Sequence, residues 1–255
     1  IVIVYNMVFY QAGSFSLMLF SFVVAVLLFY FFLYFSKNKL SALCFSYVNM
    51  AWLGFPFAIA LFGTKISPAM VALYIGGSIF GNLWAVTAVS QTPLAFSFIL
   101  KKVLCAPPMI ALILALIFRS VGVQHWSQHD LIDVIYSAAK FGMSFSGMCV
   151  LGMWLRHTKV EKADLWQSSQ TALLKLACGV VLCGLSYRYL AIPNIEQYIG
   201  VMFLLFCLPP AANIVALETH YQGTGMSAKY IASGTIISCA VVSIYGLLLH
   251  VFAVI

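Results

Sequence analysis

Two stretches of this chain place amide side chains beside prolines within apolar sequence. The first is Asn49-Met50-Ala51-Trp52-Leu53-Gly54-Phe55-Pro56, and the second is Leu208-Pro209-Pro210-Ala211-Ala212-Asn213. A proline inside a helix removes a backbone donor and clashes with the carbonyl four residues back. Pro56 is therefore expected to free the carbonyl of Trp52, and Pro209 and Pro210 those of Leu205 and Phe206. An Asn side chain donates and accepts hydrogen bonds at once, and a half-helix N-terminus carries about half a positive charge. Amides and backbone ends together can hold a carboxylate without binding it too tightly to release. The plainer reading is a kink whose Asn only repairs the backbone. Two such breaks, each with its own Asn, favour a ligand-holding role.

Lys140 is a further candidate for such a site. It shares one helical face with Ser137, Ser144 and Gly147 at three- and four-residue spacings. A cation at that depth is costly unless it is paired or wet. It either adds positive potential to an anion site or snorkels to the nearer interface. Lys175, with Thr171 and Cys178 on its face, reads as close to a span end and snorkelling. No Asp or Glu falls in the middle of an apolar run: Asp130 and Asp133 begin one, and Glu218 ends another. That argues against a buried carboxylate proton relay in this stretch. The seven cysteines form no Cys-x-x-Cys pair and have no His cluster beside them, so they read as buried free thiols. No metal or cofactor is expected. A phosphate loop, a zincin motif and a nucleophile elbow are all missing, which disfavours an ATP-driven pump or a membrane hydrolase; no enzymatic activity is expected.

These residues must be positioned by membrane helices. Of 255 residues, 64% are hydrophobic and 7% charged, against about 25% charged in soluble domains. Lipid is the solvent that such a surface fits. A helix crosses a hydrocarbon core about 30 Å thick with roughly 20 apolar residues, and the runs here are continuous, unlike the short alternating strands of a barrel. The fold class expected is an all-α polytopic membrane protein. Eight spans are read, over 15–35, 41–62, 69–90, 104–118, 131–155, 171–190, 195–217 and 228–255, with an interfacial stretch at 93–102 and a polar loop at 156–164. The net charge of +7 comes from Lys and Arg in short loops, which sets orientation and does not point to nucleic acid. Lys37, Lys39, Lys101, Lys102, Arg156, Lys159, Lys162 and Lys229 lie on one side, expected to be cytoplasmic. Lys65, Arg119 and Arg188 lie on the other. No signal peptide is recognisable. The pair Gly77 and Gly81 is a small-xxx-small match, read as close helix packing.

The damaged spans are the second and the seventh, five apart. A five-helix unit repeated once is inverted in the membrane, because five is odd. Residues 91–255 then form one complete inverted repeat and residues 1–90 the remainder of the other. On this expectation the protein has ten helices, two of them before the first span read here, with residues 1–11 closing the second. Discontinuous helices at matching repeat positions point to a transporter's midplane site.

At these residues the chain resembles the auxin efflux carrier family of membrane transporters. The family's first broken helix reads Asn-x-Gly-x-x-Gly-x-Pro; Asn49, Gly54 and Pro56 match it, and Ala51 stands where Gly is usual. The second break resembles Leu208-Pro209-Pro210-Ala211 with its polar exit Leu217-Glu218-Thr219-His220-Tyr221-Gln222-Gly223, and Lys175 in Leu173-Leu174-Lys175-Leu176 also resembles a family feature. The resemblance implies ten helices in two inverted repeats that cross at their broken helices, an architecture shared with bile acid–sodium symporters. It implies a permease or efflux carrier for small organic carboxylate anions, malate-like or auxin-like. It also implies alternating access in a bacterial inner membrane, often as a homodimer. The substrate-binding residues expected are Asn49, Gly54, Pro56, Pro209 and Pro210, which the resemblance supports, with Lys140 and Asn213 from their own positions. A sodium-coupled organic-anion symporter of the same fold, and a polytopic enzyme or receptor, remain alternatives.

Overall fold

A computed structural model of the chain describes residues 1–8, 13–89, 97, 101, 104–122, 130–156, 158–221 and 226–252. These residues are helical, with no strand among them. The elements are α1 (Val2–Val8), α2 (Ser14–Ser36), α3 (Lys39–Ser46), a π-turn (Met50–Gly54) leading into α4 (Phe55–Phe62), and α5 (Ser67–Val89). They continue as α6 (Pro107–Ser120), α7 (Asp130–Leu155), α8 (Lys162–Tyr189), α9 (Ile195–Cys207), α10 (Asn213–Tyr221) and α11 (Met226–Val251).

Four stretches among the described residues are long and apolar enough to cross a membrane: Ser14–Ser36, Thr64–Ala85, Lys162–Tyr189 and Met226–Val251. Among the described residues the eight expected spans appear as these four and as shorter or partly described helices. Two spans are split, and α6 has 14 residues, a rise of about 21 Å. α7 is long enough at 26 residues, but several of its side chains lie outside the described residues. The expected interfacial stretch at 93–102 lies largely outside the described residues.

Apolar side chains cover the outer faces of the spanning helices. Leu19, Val23 and Leu27 of α2, Leu173, Val180 and Leu185 of α8, and Ile244, Leu247 and Leu248 of α11 are all exposed. Contiguous apolar surface of this kind suits lipid rather than water. The same reason accounts for a correction to the cysteines. Cys44, Cys183 and Cys207 are buried, but Cys105, Cys149 and Cys239 are exposed.

Local signals set the helix ends. Lys37 closes α2 in the left-handed conformation at φ 53°, with its N–H on the Leu33 carbonyl. Asn38 then caps α3, its Oδ1 accepting from Ser41 N at 3.1 Å. At α8, Glu161 and Asp164 form a capping box in which Asp164 accepts from Glu161 N at 2.9 Å. The box starts α8 at Lys162, so the loop expected at 156–164 ends earlier and the sixth span starts nine residues before residue 171. Hydropathy misplaced this start because the first turns of α8 are polar.

α5 forms the backbone of the interior. It packs along α2 and also meets α3, α9 and α10. Its Gly81 accommodates the ring of Tyr47: a Cβ built there would lie 2.2 Å from Tyr47 Cζ, and one at Gly77 would lie 2.5 Å from Met50 Cε. The small-residue face thus holds the segment that interrupts the second span. Gly81→Ala should force Tyr47 aside and lower stability by about 1–3 kcal/mol, the usual range for overpacking. Thermal unfolding of purified protein checks this; an unchanged midpoint would show that Tyr47 does not rest on Gly81.

Candidate functional site

The two interrupted spans meet at their breaks. The first runs α3, then residues 47–49, extended at Tyr47 and turning at Asn49, then the π-turn and α4. The second runs α9, then residues 208–212, then α10. Val48 and Pro210 form an isolated antiparallel bridge, closed by Asn49 N to Pro209 O and Ala211 N to Tyr47 O, each 2.9 Å.

Buried backbone groups need partners, most of all in lipid, and the crossing supplies them. The bridge satisfies two donors and two carbonyls. Gly54 N donates to Asn49 O at 3.0 Å, and Ile214 N to Ala211 O at 3.1 Å. Ser238 Oγ of α11 donates to Cys207 O. Lys175 Nζ of α8 donates to Leu208 O at 3.1 Å. The Asn49 side chain caps the π-turn, its Oδ1 accepting from Trp52 N at 3.2 Å.

The partner of the proline pair is therefore Val48, where Pro56 was expected. The interruption lies seven to nine residues before Pro56. Pro56 sits in the first turn of α4, where a missing N–H is harmless. The π-turn has already shifted the bonding pattern, with Phe55 N on Met50 O. Gly54 is buried beneath the partner segment; a Cβ there would lie 2.8 Å from Leu208 Cδ1 and 2.5 Å from Met70 Cε.

Two cavities flank the bridge and share no lining residue. One, of about 120 Å³, is lined by residues that include Asn49, Trp52, Ser78, Ala212 and Asn213. Asn213 Nδ2 donates to Tyr47 Oη at 3.1 Å. Asn49 is buried, and its Nδ2 has no hydrogen-bond partner. An orphaned amide donor beside a break is a group that an oxygen-bearing ligand would satisfy.

The other cavity, of about 320 Å³, reaches from Ser36, Asn38 and Gln167 to Pro209 and Pro210. Ser36 and Asn38 of its lining flank Lys37, one of the residues expected on the cytoplasmic face. Lys175 lies at its inner end, 5% exposed. Snorkelling was the expectation for this residue, and the capping box overturns it. With α8 starting at Lys162 and ending at Tyr189, Lys175 has thirteen residues before it and fourteen after. It is at the middle of the helix, and its buried ammonium turns inward to the Leu208 carbonyl. Sequence alone could have found it had the capping box at Glu161 and Asp164 been weighed above hydropathy.

Lys140 stands apart from both cavities. It lines a third cavity, of about 850 Å³, with Lys65, Ser67 and Tyr136. Its Nζ is 3.5 Å from Ser67 Oγ and 5.6 Å from the Tyr136 ring centroid. The fold thus brings Asn49 and Asn213 to one cavity, Pro209 and Pro210 to another, and Lys140 to neither. The side chain of Ser144, placed on the Lys140 face, lies outside the described residues.

Glu218 is fully buried, and its carboxylate accepts from Met226 N at 2.9 Å, Ser227 N at 2.8 Å and Ser227 Oγ. It caps α11. The chain matches no protein-family model, no curated protein and no solved structure.

Proposed function

We propose that this chain is a multi-pass secondary transporter that moves small organic carboxylate anions across a bacterial inner membrane by alternating access. One observation carries the reading: two interrupted helices cross at their breaks through the Val48–Pro210 bridge, while the four spanning helices among the described residues are continuous. Irregular backbone at membrane depth persists where protein or a wet cavity lines it, and in transporters it marks the substrate site.

The bridge is antiparallel, so the two broken spans run in opposite directions at the crossing, as inverted repeats require. The packing relations support the same pairing. α2 packs on α3 and α5, and α8 packs on α9 and α11. In the repeat reading α2, α3–α4 and α5 correspond to α8, α9–α10 and α11. The resemblance of Asn49, Gly54, Pro56 and the Pro209-Pro210 core to the auxin efflux carriers points to the same class of cargo. Asn49 and Asn213 then offer amide donors to the carboxylate at the crossing, and a second copy of the chain is the expected partner.

Reconstituted protein should take up labelled malate or an aromatic monocarboxylate faster than protein-free liposomes. Uptake no faster than the protein-free control across a panel of organic acids would sink the proposal. Within it, Asn49→Ala and Asn213→Ala each remove one hydrogen-bond partner of a charged group, about 1.5–3 kcal/mol, which is roughly a 10- to 150-fold loss of affinity. Unchanged affinity in both folded variants would place the site elsewhere.

A further inference from the structure

We propose that Lys175 is the counter-charge for a singly charged organic anion in the larger crossing cavity, and that it alternates between the Leu208 carbonyl and that anion. The inference rests on the transport reading above and adds to it a second station for the carboxylate, across the Val48–Pro210 bridge from Asn49 and Asn213, together with a charge state.

The ammonium is more than the backbone requires. Among the described residues it makes one hydrogen bond, to Leu208 O at 3.1 Å, and it lies over the Phe45 ring at 5.7 Å. A neutral amide or hydroxyl would satisfy one freed carbonyl, as Ser238 does for Cys207 O. A buried charge is far more costly than either. An ammonium carries three donors, so two remain for another acceptor on the cavity side.

The cavity supplies no competing charge. Among the described residues that line it, Lys175 is the one charged side chain. Three polar side chains of α8 that line it are already engaged within the protein. Thr171 donates to the carbonyl of Ser168 or Gln167, Ser168 pairs with Ser233 at 2.6 Å, and Gln167 donates to Tyr230 Oη at 3.0 Å. The remaining walls include the rings of Phe32, Phe45 and Phe206. One cationic donor set with aromatic rings beside it recognises one carboxylate on an apolar body. A second carboxylate would find no second cation among the described lining residues, a costly arrangement. The volume of about 320 Å³ falls at the small end of ligand pockets.

Alternation follows from the position. With the cavity empty, Lys175 ties the middle of α8 to the broken segment between α9 and α10. An arriving carboxylate competes for the same ammonium and loosens that tie. Loading of the anion is thereby coupled to the crossing.

The test measures binding of benzoate, benzamide and succinate to the purified full chain, with benzoate uptake into liposomes followed alongside. Wild-type protein should bind benzoate at least tenfold more tightly than benzamide or succinate. Lys175→Gln keeps a donor for Leu208 O and removes only the charge; it should lose at least tenfold for benzoate and leave benzamide unchanged. Lys175→Arg should retain most benzoate binding. The proposal is overturned if wild-type protein binds benzamide or succinate as well as benzoate, if it binds none of the three, or if folded Lys175→Gln binds benzoate like wild type. The wild-type contrast needs no variant and decides the matter even if neither variant folds. Benzoate binding that depends on Lys175 without any uptake would sink the transporter reading and leave Lys175 standing. Uptake that Lys175→Gln leaves untouched would sink Lys175 alone.

Discussion

Val48→Cys paired with Pro210→Cys, in a chain whose seven native cysteines are replaced, should close to a disulfide in nearly every molecule under mild oxidation. The flanking bonds, Asn49 N to Pro209 O and Ala211 N to Tyr47 O, define a non-hydrogen-bonded antiparallel pair. Such pairs hold their Cα atoms about 4.5 Å apart, within the range of roughly 4.4–6.8 Å that a disulfide spans. Pro209 remains to keep the second span broken. Pro56→Cys with Pro210→Cys should stay reduced, since Pro56 is six residues past the start of the π-turn, about 9 Å at helical rise. A protease site placed in the loop at 158–161 gives the readout, because the two fragments remain joined only when the disulfide has formed. Folded protein in which the Pro56 pair closes and the Val48 pair does not would contradict the crossing. The proposed transport mechanism adds a second expectation. Oxidation should stop anion uptake, and reductant should restore it, because the bond fuses the two broken spans at the point where they must shift.

Glu218→Ala is expected to be among the most destabilising single substitutions in the chain. Met226 and Ser227 open α11, and their N–H groups lack helical partners. The Glu218 carboxylate accepts from both, and from Ser227 Oγ, while fully buried. Its negative charge also complements the N-terminal end of the helix dipole. Removing it orphans buried donors at about 1–3 kcal/mol each, for a total of about 3 kcal/mol or more. At roughly 2–4 °C per kcal/mol for a chain of this size, the thermal midpoint should fall by about 6–12 °C. Glu218→Gln keeps an acceptor and loses the charge, so it should fall by about half as much. A midpoint for Glu218→Ala within a degree or two of wild type would show that α11 is capped by other means.

The solvent of this protein was legible in its composition. A chain that is 7% charged leaves too little polar surface to face water, whatever its tertiary structure. The presence of two interruptions was legible as well, since proline acts through its own missing donor and needs no partner to do so. Their meeting was only an expectation from the count of spans, and the antiparallel bridge is the observation that bears on it.

Position and pairing were decided by the tertiary structure. Pro56 marked a break that falls at residues 47–49, because the π-turn absorbs the proline and Asn49 caps the new start. Hydropathy placed Lys175 at a span end. A two-residue capping box, worth little in any hydropathy sum, moved the start of α8 and carried Lys175 to its centre. Asn49 and Pro209 bond through their backbones yet line different cavities. Lys140 has the depth of a site residue but faces a different cavity from either. Local chemistry shows which groups are costly to bury. Which partner meets that cost depends on contacts between residues more than 150 positions apart, such as Tyr47 with Ala211. Only the folded chain specifies those contacts.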